Sequence, residues 1–125
     1  MPKEQRLRKP KEFRRAYNEG ERFRGRFMTA FIAPSETSFH RVGVTASKKA
    51  IGNSVRRSRA KRLLREAFRL SVTELGGLRG RYDWALNARR SILEAGFDEL
   101  KADFLDILDR VESFEVNSVG LPNVN

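Results

Sequence analysis

Phe97, Leu100, Phe104, Leu108 and Val111 recur every three or four positions, the spacing of one helix face. Asp98, Asp103, Asp106 and Asp109 fill the other face. A shorter helix is predicted near the start, where Pro10 suits a first turn, Phe13 and Tyr17 share a face, and Gly20 is a stop. Two segments read as strands instead. "RFMTAFIA" (26–33) is rich in β-forming residues and ends at Pro34, and "RVGVTAS" (41–47) alternates with Val42, Val44 and Ala46 on one side. The polar "ETSFH" between them is short enough to predict a hairpin. Gly52, Asn53 and Ser54 supply helix-start chemistry, with Asn53 or Ser54 as N-cap, and the helix that follows is expected to end by Gly76-Gly77. "YDWALNA" (82–88) is a third strand, with Trp84 a core residue. The order α-β-β-α-β-α predicts an α+β fold, a small central sheet with three helices, as one domain over residues 1–115. "NSVGLPNVN" has no usable periodicity, and residues 116–125 are expected to be a disordered tail.

The central helix carries the least expected pattern. "RRSRAKRLLREAFR" (56–69) holds seven arginines and lysines with Glu66 as its single acid. At 100° per residue, Ala60, Leu63, Leu64, Ala67 and Leu70 fall in one broad arc. Arg57, Lys61, Arg65 and Arg69 run as a stripe on the opposite side, with Ser58 and Arg62 beside it, over roughly 24 Å of helix. Arg56 and Arg59 fall toward the edges of the apolar arc. Like charges three or four residues apart repel one another. A solvated face is the ordinary fate of such a run, but solubility normally uses mixed signs. Charge this unbalanced suggests a partner that brings the counter-charge.

Composition agrees. The 125 residues carry 26 Lys and Arg against 16 Asp and Glu, a formal charge of +10. Such an excess points to a polyanion without separating RNA, DNA, an acidic protein or an anionic membrane. The charge is also polarised: residues 41–70 hold ten basic side chains against Glu66, while residues 91–125 hold eight acids against Lys101 and Arg110. There is no cysteine, which excludes disulfides and thiolate metal sites. No apolar run is long enough to span a bilayer and no signal-peptide core is visible, so a soluble, cytoplasmic protein is expected. His40 is the sole histidine, in an expected loop with no second ligand nearby, and no carboxylate cluster lies beside the basic segments. These absences argue against a metal site or a two-metal nuclease centre carried by the protein.

"RVGVTASKKAIGNSVRRSRAKRLLREAFR" (41–69) resembles the central signature of the bacterial ribonuclease P protein subunit. In that family a strand ending in Ser-Lys-Lys leads through a Gly-Asn turn into a helix bearing an Arg-Asn-Arg-x-Lys-Arg-x-x-Arg motif. Here the motif reads Arg57-Ser58-Arg59-Ala60-Lys61-Arg62-Leu63-Leu64-Arg65. "RLRKPKEFRRAYNEG" looks like the family's first helix and "YDWALNARR" like its last strand, so the likeness covers roughly residues 6–112. Ser58 stands where the family usually has Asn, and Ala50 looks like an extra residue before Ile51-Gly52.

The resemblance implies a left-handed β-α-β crossover containing the basic helix, against the right-handed default. It also implies a subunit of an endoribonuclease whose catalytic centre is RNA: the protein binds the catalytic RNA and the 5′ leader of precursor tRNA, promotes removal of that leader, and cleaves nothing alone. Magnesium would be held mainly by the RNA, with no metal site and no catalytic residue in the protein and no membrane or DNA partner. Arg57, Ser58, Arg59, Lys61, Arg62, Arg65 and Arg69 would face the catalytic RNA. Phe13 and Tyr17 would line a leader-binding cleft, with Phe27, Thr29, Phe31, Thr45 and Ser47 on its sheet side. Lys48, Lys49, Arg89 and Arg90 would lie near the substrate. From the residues alone the ordinary reading of Phe13 and Tyr17 is core, since aromatics at helical spacing usually are, and Arg89 and Arg90 read nearly as well as a solvated loop. The alternative function is a ribosomal or general RNA-binding scaffold or chaperone, which needs no aromatic cleft.

Overall fold

The computed structural model describes residues 5–118. They form α1 (Pro10–Glu19), β1 (Glu21–Arg24), β2 (Met28–Pro34), β3 (Arg41–Thr45), α2 (Lys48–Ile51), α3 (Ser54–Arg69), α4 (Val72–Gly76), β4 (Tyr82–Ala88), a 3-10 turn (Arg90–Glu94) and α5 (Phe97–Ser118). The six expected elements are present within an α+β fold, and β1, α2 and α4 are additions. Because α5 runs to Ser118, residues 116–118 of the expected tail are helical; residues 119–125 lie outside the described residues.

The expected β2–β3 hairpin does not form. The sheet order is β1-β2-β4-β3, with β4 antiparallel to β2 and parallel to β3. The reason lies in β4 itself: Asp83 through Leu86 are buried without a break, the mark of a central strand covered on both faces. A central strand needs two partners, and that requirement outweighs the short connection between β2 and β3. The β3–β4 link passes through α2, α3 and α4, making a β-α-β unit.

The two sheet faces differ in chemistry. Val42, Val44, Met28, Ala30, Ile32, Trp84 and Leu86 enter the core under α3 and α5. There the rings of Trp84, Phe104 and Phe68 sit 5.6 to 6.3 Å apart. The acidic helix α5 contributes Leu100, Phe104, Ile107 and Val111 to this core. One of its acids is structural: Asp103 accepts from the backbone N–H groups of Arg26 and Phe27 at 2.8 Å, pinning the β1–β2 turn. Buried Glu115 accepts from the backbone N–H groups of Arg79 and Gly80 and from the Tyr82 hydroxyl. Burial, and then this carboxylate, push the Tyr82 pKa up.

Helix α1 lies on the opposite face. Glu12 reaches back to accept from the N–H groups of Arg8 and Lys9, capping the helix behind Pro10. The Phe13 ring fills the space above Gly43 that a Cβ would occupy, so glycine there lets the helix approach β3.

Candidate nucleic-acid interface

The basic helix begins where Asn53, not Ser54, caps it, accepting from the Arg56 N–H at 2.9 Å. Its buried residues are Ala60, Leu64, Ala67 and Phe68. Relative to the expected apolar arc, this face is turned by about 50° at 100° per residue. Leu63 is only half-buried and Leu70 is exposed, whereas Phe68 is drawn in against Trp84 and Phe104. The rotation corrects the predicted stripe. Arg57 and Lys61 are half-buried, and the Arg57 Nε is enclosed without a hydrogen-bond partner. Ser58, Arg59, Arg62, Arg65 and Arg69 form the exposed face instead. Arg69 is engaged by Glu66 through two hydrogen bonds of 2.7 and 3.0 Å, and the bond from Arg69 holds the Glu66 carboxyl below its ordinary pKa. The guanidinium groups of Arg59, Arg62 and Arg65 have no salt-bridge partner among the described residues.

Arg90 joins this surface. With Arg56, Arg59 and one acid, Glu94, it lines a groove of about 370 Å³ between α3 and the 3-10 turn, floored by Ala60, Leu63, Ile92 and Leu93. Arg89 points elsewhere. Its guanidinium donates to the Gly25 carbonyl at 2.6 Å, and it lines a second groove on the α1 face of the sheet. The adjacent arginines therefore serve two different surfaces.

The second groove is built by strand register. Thr45 pairs laterally with Asn87, Asn87 with Thr29, and Thr29 with Arg24, so these four side chains form a row across the whole sheet. Behind it runs Gly43, Ala85, Phe31 and Arg22. Tyr17 stands on α1 above both rows, its ring 4.9 Å from Phe31 and edge-on, with Phe13 at 6.4 Å. Tyr17 and Phe13 are both half-buried, between the core and cleft readings. The outer part of the groove, lined by Arg22, Arg24, Thr29, Phe31, Asn87, Ala88 and Arg89, encloses about 240 Å³. The other end is closed by charge. Buried Asp83 accepts from the Arg41 Nε at 2.8 Å and Nη2 at 2.7 Å, with Arg15 at 3.4 Å, while Glu12 accepts from Arg41 at 3.1 Å. Partial burial tends to raise the Glu12 pKa. The hydrogen bonds from Lys9 and Arg8 and the Arg41 charge outweigh it, and the net shift is downward.

Two expected cleft residues are placed differently. Phe27 is buried in the core cluster, because its backbone N–H is held by Asp103 and its carbonyl accepts from Arg89 N–H, turning the ring inward ahead of β2. Ser47 caps α2, accepting from Ala50 N–H at 3.0 Å, at the end of the groove where Lys48 and Lys49 are exposed. Arg22, Arg24 and Asn87 were missed by the sequence reading. The alternation in "ERFR" is the signal for the arginines: Phe23 turns inward to meet Phe114 edge-on at 5.9 Å, leaving Arg22 and Arg24 on the groove side.

His40 is half-buried and serves the fold. Its Nδ1 accepts from Trp84 Nε1 at 3.0 Å and from Tyr82 N–H at 3.1 Å, so the proton lies on Nε2, which donates to the Leu75 carbonyl at 3.1 Å. Burial, the largest influence, lowers its pKa. Among the described residues no group of three or more His, Cys, Asp or Glu is placed to hold a metal ion, and no helix is long and apolar enough to cross a membrane.

The exposed face of α3 and the α1–sheet groove thus lie on opposite faces of the sheet, and comparison with known proteins identifies the family that carries them. The family model "Ribonuclease P" matches residues 1–112. The chain is 33% identical over 108 residues to the ribonuclease P protein component of Clostridium botulinum, covering 86% of this chain and 95% of the relative. It is 39% identical over 109 residues to that of Caldanaerobacter subterraneus subsp. tengcongensis, covering 87% and 90%. Among solved structures, the Staphylococcus aureus RNase P protein superposes with a TM-score of 0.74 at 24% identity, covering 86% of this chain and 95% of that one. The Thermotoga maritima RNase P protein gives 0.72 at 22%, covering 84% and 96%; at these identities the likeness is one of fold. The scaffold alternative is not favoured by these matches. The chain belongs to the ribonuclease P protein family, as the protein subunit of an endoribonuclease whose catalysis is performed by RNA.

Proposed function

We propose that the two basic surfaces divide the work of this subunit, the exposed face of α3 binding the catalytic RNA and the α1–sheet groove holding the 5′ leader of precursor tRNA. The observation that carries this reading is their difference in construction. The helix face offers Arg59, Arg62 and Arg65 with few competing acids, suited to successive phosphates of a folded RNA. The groove sets the rings of Tyr17 and Phe31 among arginines, the recurrent way to hold a single strand of variable sequence. Arg57 and Lys61 support the helix face from its flank, and Arg69 joins it when Glu66 yields. Lys48 and Lys49 extend the groove at one end, Arg22, Arg24 and Arg89 at the other. Magnesium is held mainly by the RNA. Glu12 and Asp83, at the closed end of the groove, are committed to Arg41 and Arg15 rather than open to a cation.

The test is reconstitution with bacterial ribonuclease P RNA at low magnesium. Wild-type protein accelerates release of the 5′ leader, and protein without RNA leaves precursor tRNA intact. Alanine at both Phe13 and Tyr17 lowers the preference for precursor over mature tRNA by about tenfold or more, at about 1–3 kcal/mol per stacked base. A folded double variant with unaltered preference would refute the cleft. RNA-free cleavage that co-purifies with the protein would refute the division of labour.

A further inference from the structure

Asn87 is the one amide in the middle of the groove floor, and its hydrogen bonds are unevenly spent. Its Oδ1 accepts from the Tyr17 hydroxyl at 2.9 Å and from the Thr45 hydroxyl at 2.7 Å. A carbonyl oxygen has two lone-pair directions, and both are taken. Nδ2 carries two protons that no acceptor claims among the described residues, while the side chain lines the groove beside Thr29, Phe31, Arg22, Arg24 and Arg89. The amide is thus held by two independent elements, α1 through Tyr17 and β3 through Thr45.

We propose that Asn87 is a specificity-determining residue that donates from Nδ2 to the exocyclic oxygen at purine C6 or pyrimidine C4 on one base of the bound strand, so that guanine or uracil is preferred there over adenine or cytosine. The proposal rests on the reading of this groove as the leader site. Phosphates have better partners here: Arg22, Arg24 and Arg89 carry full charge along the rim, and charge-assisted bonds are the stronger kind. A base stacked on Phe31 or Tyr17 presents its edge, not its phosphate, to the floor where Asn87 sits. A free asparagine would read adenine through one donated and one accepted bond. This one cannot, because its acceptor is occupied. An amide left with donors only matches the keto group at purine C6 or pyrimidine C4 and meets the amino group of adenine or cytosine donor to donor.

The experiment measures dissociation constants of the complex reconstituted with bacterial ribonuclease P RNA. The substrates are precursor tRNAs in which each leader nucleotide is changed in turn to G, U, A or C. Wild-type protein is expected to show one leader position where G and U bind about two- to tenfold tighter than A and C, the worth of one net hydrogen bond. Asn87→Asp keeps both accepted bonds and replaces the donors by an acceptor, so the preference at that position inverts toward A and C. The added negative charge weakens all four leaders together and cancels from the ratio. Absence of any position with a keto-to-amino ratio above about twofold in wild-type protein overturns the proposal without recourse to a variant. So does an Asn87→Asp protein that weakens every leader and leaves the ratio unchanged. Precursors with progressively shortened leaders separate this failure from failure of the groove assignment. If affinity is indifferent to leader length, the leader does not occupy the groove. If affinity depends on length but not on base, only the role of Asn87 falls.

Discussion

Replacing Glu66 by Gln should strengthen binding to RNA, an unusual direction for a point substitution. Glu66 is the only acid within α3, and it holds Arg69 through two bonds on the exposed side of the helix. At 100° per residue, positions 62, 65, 66 and 69 fall within about 100° of one another, so the pair sits inside the array formed by Arg62 and Arg65. Removing the carboxylate charge frees one guanidinium for a phosphate. Each added phosphate contact steepens the dependence of log affinity on log salt by about 0.9 on a duplex and about 0.7 on a single strand. Taken from 1 M to 0.1 M salt, one such contact gives roughly eightfold or fivefold tighter binding at the lower concentration. Both side chains are largely exposed, so the melting temperature should hold within about 2 °C. Titration of catalytic RNA with wild-type and Glu66→Gln protein at several salt concentrations measures the slope directly. An unchanged slope would mean that Arg69 does not face RNA. A shallower one would mean that the Glu66–Arg69 pair itself forms part of the contact.

Three further outcomes follow from the same geometry. Arg62→Ala should flatten the salt slope by about one contact with no loss of melting temperature, whereas Arg57→Ala should lower the melting temperature, since its stem packs on the buried side; equal behaviour of the two in RNA titration and thermal melts would contradict the rotated helix. Asp83→Ala leaves the largely buried Arg41 with Glu12 alone and should cost about 3–5 kcal/mol, measured by denaturant unfolding, and a loss below about 1 kcal/mol would show that water replaces the carboxylate. His40 has its folded pKa below the unfolded value, so the unfolded chain takes up the proton first; its stabilising contribution is full above about pH 6.5 and is lost as pH falls below it. Unfolding midpoints from pH 8 to pH 5 should show this loss in the wild type and a flatter profile in His40→Gln.

What was legible in the sequence was whatever a local pattern decides. The periodicity of α5, the start of α3 at Asn53-Ser54 and the Trp84 core position need only neighbours within a few residues. Strand order did not belong to that class. The short link between β2 and β3 favoured a hairpin, and only the two-sided burial of β4, some forty residues later, displaced it. The face of α3 was misjudged through three residues: leaving out Phe68 and counting Leu63 and Leu70 shifted the expected apolar arc and put Arg57 in solvent. Phe27 was placed in the groove through the family resemblance, although Asp103, in another helix, fixes its backbone before the strand begins. Asn87 carried no signal, because its meaning comes from Tyr17 and Thr45, 70 and 42 residues away in the chain.

The central position of β4 has a consequence for the order in which the molecule can be made. During synthesis β1 and β2 can pair as soon as they emerge, but β3 has no lateral strand partner until residue 88 has left the ribosome. Until then β2 and β3 each offer an open edge, and the Tyr17 hydroxyl has no amide to meet. Closing such a sheet requires long-range loop closure, the slow step in chains of this kind. Truncated or stalled chains would therefore carry the basic helix of α3 without a completed groove. On the proposed division of labour, such chains would compete for the catalytic RNA and assemble particles unable to grip a leader. Insertion of one late strand thus couples completion of the fold to completion of the second binding surface.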